Sequence, residues 1–158
     1  MNEYIISDLF RYYGKTDLIT FIRAILKNRT FRFQVAFRLC QSKGISKYIG
    51  YIMYVFNHTK KNIILSRHTK VGYGLYIGHG GPIVVNPTAV IGNNVNLSQF
   101  TTIGANNGKA ATIGDNVYIG PSVCIVEDIT IGNNVTIGAG SVVTKSIPNI
   151  RSEIIYEL

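Results

Sequence analysis

Histidine is scarce in this chain, and one of its three copies stands apart. His79 lies in the run Gly78-His79-Gly80-Gly81, where glycines leave the backbone open to close approach by a ligand. An imidazole with an ordinary pKa of about 6.5 suits removal of a proton from a hydroxyl at neutral pH, so His79 is the candidate general base. Gly80 beside it, and the polar pair Asn106 and Asn107 further along, are the candidates for contact with a substrate. His58 and His68 come earlier and read as structural or surface residues. One histidine in the later half is too few for a zinc site built on three, and Cys40 and Cys124 fit no metal spacing, so no metal is expected. Both thiols read as buried and free in a reducing compartment.

What positions these residues is a beat of six. Aliphatic side chains stand at Val71 and Ile77, then Val85, Ile91, Leu97 and Ile103, then Ile113, Ile119, Ile125, Ile131, Ile137 and Val143. Glycine follows eight of these twelve. Six is neither the helical period nor strand alternation, so the segment is a repeat architecture. Three hexapeptides close one triangular coil, with the aliphatic pointing inward and glycines or pairs such as Asn93-Asn94 and Asn133-Asn134 at the corners. Twelve hexapeptides make about four coils, a parallel β-helix roughly 20 Å tall at ~4.8 Å per coil. The fold class is mainly β, with a small N-terminal α-helical segment. The expected domains are a basic, aromatic helical segment over 1–61, the β-helix over 62–148 and a tail over 149–158.

The beat is broken twice. Two extra residues fall between Ile77 and Val85, around His79, and four between Ile103 and Ile113, in Ala105-Asn106-Asn107-Gly108-Lys109-Ala110. A packed interior cannot hold insertions, so both are expected as external loops enclosing one groove.

Charge is concentrated ahead of the repeat. Residues 1–70 carry thirteen Lys/Arg against three acids, while residues 71–158 carry three against five. Helical stripes are expected over Asp17 to Asn28 (Leu18, Ile22, Ile25, Leu26) and over Thr30 to Gly44 (Phe33, Ala36, Phe37, Cys40), with Gly44 as C-terminal cap. A third helix starts near Ser46. Arg23, Lys27, Arg32, Arg38, Lys43 and Lys47 fall between the stripes. They form either a solvated cap on one end of the prism or a surface for an anionic partner, such as the inner membrane face. Nothing resembles a nucleic-acid module, so no nucleic acid is expected. The longest apolar run, Tyr48 to Phe56, is far short of the roughly 20 residues that span a bilayer. Met1-Asn2-Glu3-Tyr4 lacks a signal-peptide layout, and the expected location is cytoplasmic, with peripheral contact at an anionic inner membrane face as the further possibility.

The beat, the loop Gly78-His79-Gly80-Gly81 and the stretch Ile131-Gly132-Asn133-Asn134-Val135-Thr136-Ile137-Gly138-Ala139-Gly140-Ser141-Val142-Val143-Thr144-Lys145 resemble the left-handed β-helix acyltransferases. The nearest branch looks like serine acetyltransferase and its shorter relatives that O-acetylate cell-surface polysaccharides. The resemblance implies a left-handed coil and a homotrimer with grooves between neighbouring prisms. It implies acetyl-CoA as co-substrate and direct acyl transfer with His79 as base. By position it implies cofactor contacts at Gly104, Ala105, Gly120, Pro121, Ala139 and Lys145, with the Ala105 N–H meeting the oxyanion.

Departures steer the expected acceptor. Ile64 or a close neighbour, and Gly78, stand where serine acetyltransferases place aspartates, and 106–112 lacks their Arg-His pair. The expectation is therefore an acetyl-CoA O-acetyltransferase acting on a sugar hydroxyl, free or lipid-linked, in surface-polysaccharide biosynthesis. The alternatives are serine O-acetyltransferase of cysteine biosynthesis and a non-catalytic β-helix scaffold.

Overall fold

All twelve aliphatics on the six-residue beat are buried, and the chain winds around them. A computed structural model describes residues 2–58 and 62–150. Among the described residues, four helices are followed by thirteen short strands. They are β1 (Ile63–Leu65), β2 (Lys70–Val71), β3 (Tyr76–Ile77), β4 (Ile83–Val85), β5 (Val90–Ile91), β6 (Asn96–Leu97) and β7 (Thr102–Gly104). Next are β8 (Thr112–Ile113), β9 (Tyr118–Ile119), β10 (Cys124–Val126), β11 (Thr130–Ile131), β12 (Thr136–Ile137) and β13 (Val142–Val143).

Every third strand joins the same parallel sheet, giving a prism with three faces. Face one is β1-β4-β7-β10-β13, face two is β2-β5-β8-β11, and face three is β3-β6-β9-β12. Register sets each beat residue on its equivalent, as in Val85↔Ile103 and Ile125↔Val143. Each enclosed aliphatic stabilises the stack by about 1.5–3 kcal/mol relative to exposure. The coil begins one step earlier than Val71. Ile63 and Leu65 are fully buried, and Leu65 lies six residues before Val71. His68 therefore sits at a corner of the first coil rather than ahead of the repeat.

The corner between faces two and three shows how the turns are made. Asn94, Asn116 and Asn134 adopt left-handed φ of 54°, 57° and 60°, and their amides bond in sequence up the prism. Glycine after the beat serves a different purpose from the unusual φ expected of it. At Gly92 a Cβ would stand 2.5 Å from Asp115 Oδ1 and 2.6 Å from the Gly114 carbonyl oxygen, so close stacking excludes it.

The helical half closes one end of the prism. α1 (Glu3–Tyr13) is capped by the Asn2 side chain and by Gly14 at φ 64°. α2 (Leu18–Lys27) is capped by Asp17, and α3 (Arg29–Cys40) by Asn28. α4 (Ile45–His58) follows Gly44, whose φ of 66° turns the chain into α4 instead of capping α3 as expected. The side chain of His58 lies outside the described residues. Phe33 and Phe37 of α3 join the core of the prism.

Two sequence expectations change here. Of the α2 stripe, Leu18, Ile22 and Leu26 are exposed, while Ile25 is partly buried against the cluster that holds Ala24 and Phe31. Arg38 is not a surface cation. At 1% exposure it donates Nε and Nη2 to both Asp8 carboxylate oxygens, at 2.9 and 3.0 Å. It also donates to the carbonyls of Val71 and Gly72, at 2.8 and 2.6 Å. Leu75 N–H completes the set on Asp8 at 2.9 Å.

Candidate active site

His79 occupies the corner between faces three and one, where β3 ends and β4 begins. Its side chain is exposed. The loop that carries it is closely packed on both sides. A Cβ at Gly80 would stand 2.9 Å from Thr30 Oγ1 at the start of α3, and one at Gly81 would stand 2.8 Å from Gln99 Cβ in the next coil. The Gly81 N–H donates to the His79 carbonyl at 2.8 Å, tightening the turn.

Upstream, a partly buried tyrosine fixes the strand that delivers the histidine. The Tyr12 hydroxyl receives the Ile77 N–H at 3.0 Å and lies 2.7 Å from the Ile77 carbonyl, within hydrogen-bonding range of Gln34. Gln34 in turn donates to the Leu75 carbonyl at 2.8 Å. Burial pushes the Tyr12 phenol far above its ordinary range, so it keeps its proton. None of Tyr12, Thr30, Gln34 and Gln99 was singled out from sequence. The available signal was the helical spacing of Ile5, Leu9 and Tyr12 between a capping Asn2 and Gly14.

The remaining site residues fall on two edges. Along the histidine edge, above His79 and Gly80, come Gly120 and Pro121 and then Ala139. The Gly120 N–H bonds the Ile137 carbonyl, and the Pro121 carbonyl receives the Gly140 N–H at 2.8 Å, so this backbone is rigidly stacked. Gly104, Ala105, Asn106, Asn107 and Lys145 lie instead at the corner between faces one and two. There the second insertion is held at both ends, by Asn106 N–H to Glu127 Oε1 (3.2 Å) and by Ala110 N–H to Thr88 Oγ1 (2.9 Å).

The expected single groove is therefore not assembled within one chain. The width of face one, about 10 Å for a three-residue strand, separates His79 from the insertion. Among the described residues no group of three or more His, Cys, Asp or Glu is placed to hold a metal.

Residues 110–145 match the family model described as bacterial transferase hexapeptide (six repeats). Over 83 residues the chain is 45% identical to mitochondrial serine acetyltransferase 3 of Arabidopsis thaliana, an alignment covering 50% of this chain and 21% of that protein. The crystal structure of serine acetyltransferase isoform 3 from Entamoeba histolytica, in complex with cysteine, superposes with a TM-score of 0.76 at 27% identity. It covers 99% of this chain and 60% of that one. Neisseria gonorrhoeae serine acetyltransferase in complex with serine gives 0.72 at 28% identity, covering 92% and 63%. The chain thus spans about a fifth of the length of the Arabidopsis protein and under two thirds of the solved chains. These similarities overturn the expectation of a surface-polysaccharide sugar as acceptor. The likeness runs to serine acetyltransferases, and it extends through the helical half as well as the repeat.

Proposed function

We propose that this chain, whose repeat is the left-handed hexapeptide β-helix of the serine acetyltransferase-like acyltransferases, transfers an acetyl group from acetyl-CoA to the hydroxyl of L-serine. The observation that carries the reading is the exposed imidazole of His79 on a loop clamped by Thr30 and Gln99, at the foot of the stacked backbone of Gly120, Pro121 and Ala139. His79 takes the hydroxyl proton as the serine oxygen adds to the thioester carbonyl. The tetrahedral intermediate collapses by breaking the C–S bond, and the imidazolium returns the proton to the departing thiolate. No acyl-enzyme forms.

Assembly follows from the two edges. In a homotrimer of parallel prisms, the histidine edge of one subunit faces the insertion edge of the next. His79, Gly80, Gly120, Pro121 and Ala139 then come from one chain, and Gly104, Ala105, Asn106, Asn107 and Lys145 from its neighbour. The Ala105 N–H is the proposed oxyanion donor, and Lys145 supplies a cation for the phosphates of the cofactor.

Serine brings an ammonium and a carboxylate, and this chain offers a partner for each. Gln99, whose Cβ lies beside Gly81, has its Oε1 buried without a hydrogen-bond partner among the described residues, and an orphaned acceptor favours an N–H donor on the ligand. Lys109 is exposed on the insertion and available to the carboxylate.

The test is release of free CoA, followed with a thiol-reactive dye, from acetyl-CoA plus L-serine. Turnover well above the hydrolysis seen without acceptor is expected, with D-serine and L-alanine inert. CoA release that L-serine does not accelerate would remove serine as the acceptor.

A further inference from the structure

Helix α4 presents a face that no described residue covers. Ile45, Ile49, Ile52 and Phe56 follow the i, i+4, i+7, i+11 spacing of one helical stripe, and they are 77%, 50%, 58% and 69% exposed. The opposite side of α4 is fixed in place. A Cβ at Gly50 would stand 2.6 Å from the Cys40 nitrogen, and the Tyr54 hydroxyl donates to the Leu65 carbonyl at 2.7 Å. The stripe cannot roll inward, so its exposure belongs to the fold.

Beside the stripe opens a cavity of about 690 Å³ whose lining includes Lys47, Tyr48, Tyr51, Arg67 and His68, and no carboxylate. The Arg67 guanidinium lies 5.1 Å from the Tyr51 ring centroid, and its Nε donates to His68 Nε2 at 3.1 Å. Lys43 is exposed at the same end of α4. Among the described residues no helix is long and apolar enough to cross a membrane.

An apolar stripe next to cations and tyrosines, with no acid between them, matches a helix lying in the interface of an anionic bilayer. The geometry points to peripheral docking of this face on an anionic phospholipid membrane. Lys47 and Arg67 take headgroup phosphates, and Ile45, Ile49, Ile52 and Phe56 rest at the acyl boundary. A second copy of the chain fits less well, because applying the face to itself brings the same cations together with nothing to neutralise them. Cyclic symmetry places the same end of every subunit on one side, so a trimer would present three such faces to one plane and bind with avidity.

Flotation of the full chain with vesicles tests this. Binding is expected to vesicles containing phosphatidylglycerol and not to pure phosphatidylcholine, weakening as salt is raised. Lys43→Gln with Lys47→Gln should lower partitioning about 25-fold, from about 5-fold per cation removed. Ile49→Ser with Ile52→Ser changes only exposed side chains and should lower it at least about 10-fold. Release of CoA in solution should be unchanged in both, which separates this inference from the acetyl-transfer reading. Absence of binding to phosphatidylglycerol vesicles at low salt overturns the proposal. So does binding that both double variants retain in full. Two other outcomes also overturn it: a loss of mass by light scattering in the isoleucine variant with no lipid binding in the parent, which would assign the face to self-association, and saturable binding of soluble glycerol phosphate at the cavity with no vesicle binding.

Discussion

His79→Ala lowers kcat by about 10²–10⁴ while leaving thermal unfolding and oligomeric mass unchanged, which is the expected result for a general base on an exposed loop. The imidazole is not part of the core, so its removal opens no cavity, and Gly80 and Gly81 keep their contacts with Thr30 and Gln99. His79→Asn is the more exacting variant, since it keeps a polar group of similar size without a base of suitable pKa. Both variants should bind acetyl-CoA as the parent does, because the stacked backbone of Gly120, Pro121 and Ala139 is untouched. Steady-state CoA release alongside cofactor binding makes the comparison. Turnover within a few-fold of the parent in both variants would take His79 out of the chemistry.

The second large effect is on stability. Arg38→Met should destabilise the chain by about 3–5 kcal/mol, because it leaves the Asp8 carboxylate buried without its counter-charge. Three segments lose a fastening at once: α1 through Asp8, α3 through position 38, and the first-coil backbone at Val71–Gly72. Replacing both partners, Asp8→Leu with Arg38→Met, should recover much of the loss, since no charge then remains buried. Urea unfolding of the two variants decides the point. A loss below about 1 kcal/mol for Arg38→Met would mean that the phenylalanines of α3 hold the cap without the ion pair.

The prism was legible because its code is strictly local. A buried aliphatic every six residues forces one coil to repeat, and each beat residue is found on its equivalent. The six-residue count begins at Val71, since Ile63-Ile64-Leu65 is a solid apolar run that hides Leu65 in phase with it. Arg38 was misread because its spacing on α3 says nothing about a partner thirty residues upstream; only the docking of α1 makes that position interior. Of the α2 stripe only Ile25 is partly covered. Amphipathic spacing shows that a face is apolar, not that anything covers it. His79 stood out by its glycines, whereas Tyr12, Gln34 and Gln99 act through the fold and carried no motif. The two insertions break the beat at different corners of the triangle, so one groove lined by both needs the edge of a neighbouring subunit. The acceptor was misjudged because the absence of expected charges was weighed above the overall likeness.

That placement on separate corners has a genetic consequence. If a site is completed by the neighbouring subunit, inactivating alleles divide into two classes, those at His79 and those in the insertion around Asn106. Alleles of one class cannot rescue each other. A mixed trimer drawn from both classes contains one junction at which an intact histidine edge meets an intact insertion edge. Two dead genes expressed together would therefore yield a living enzyme.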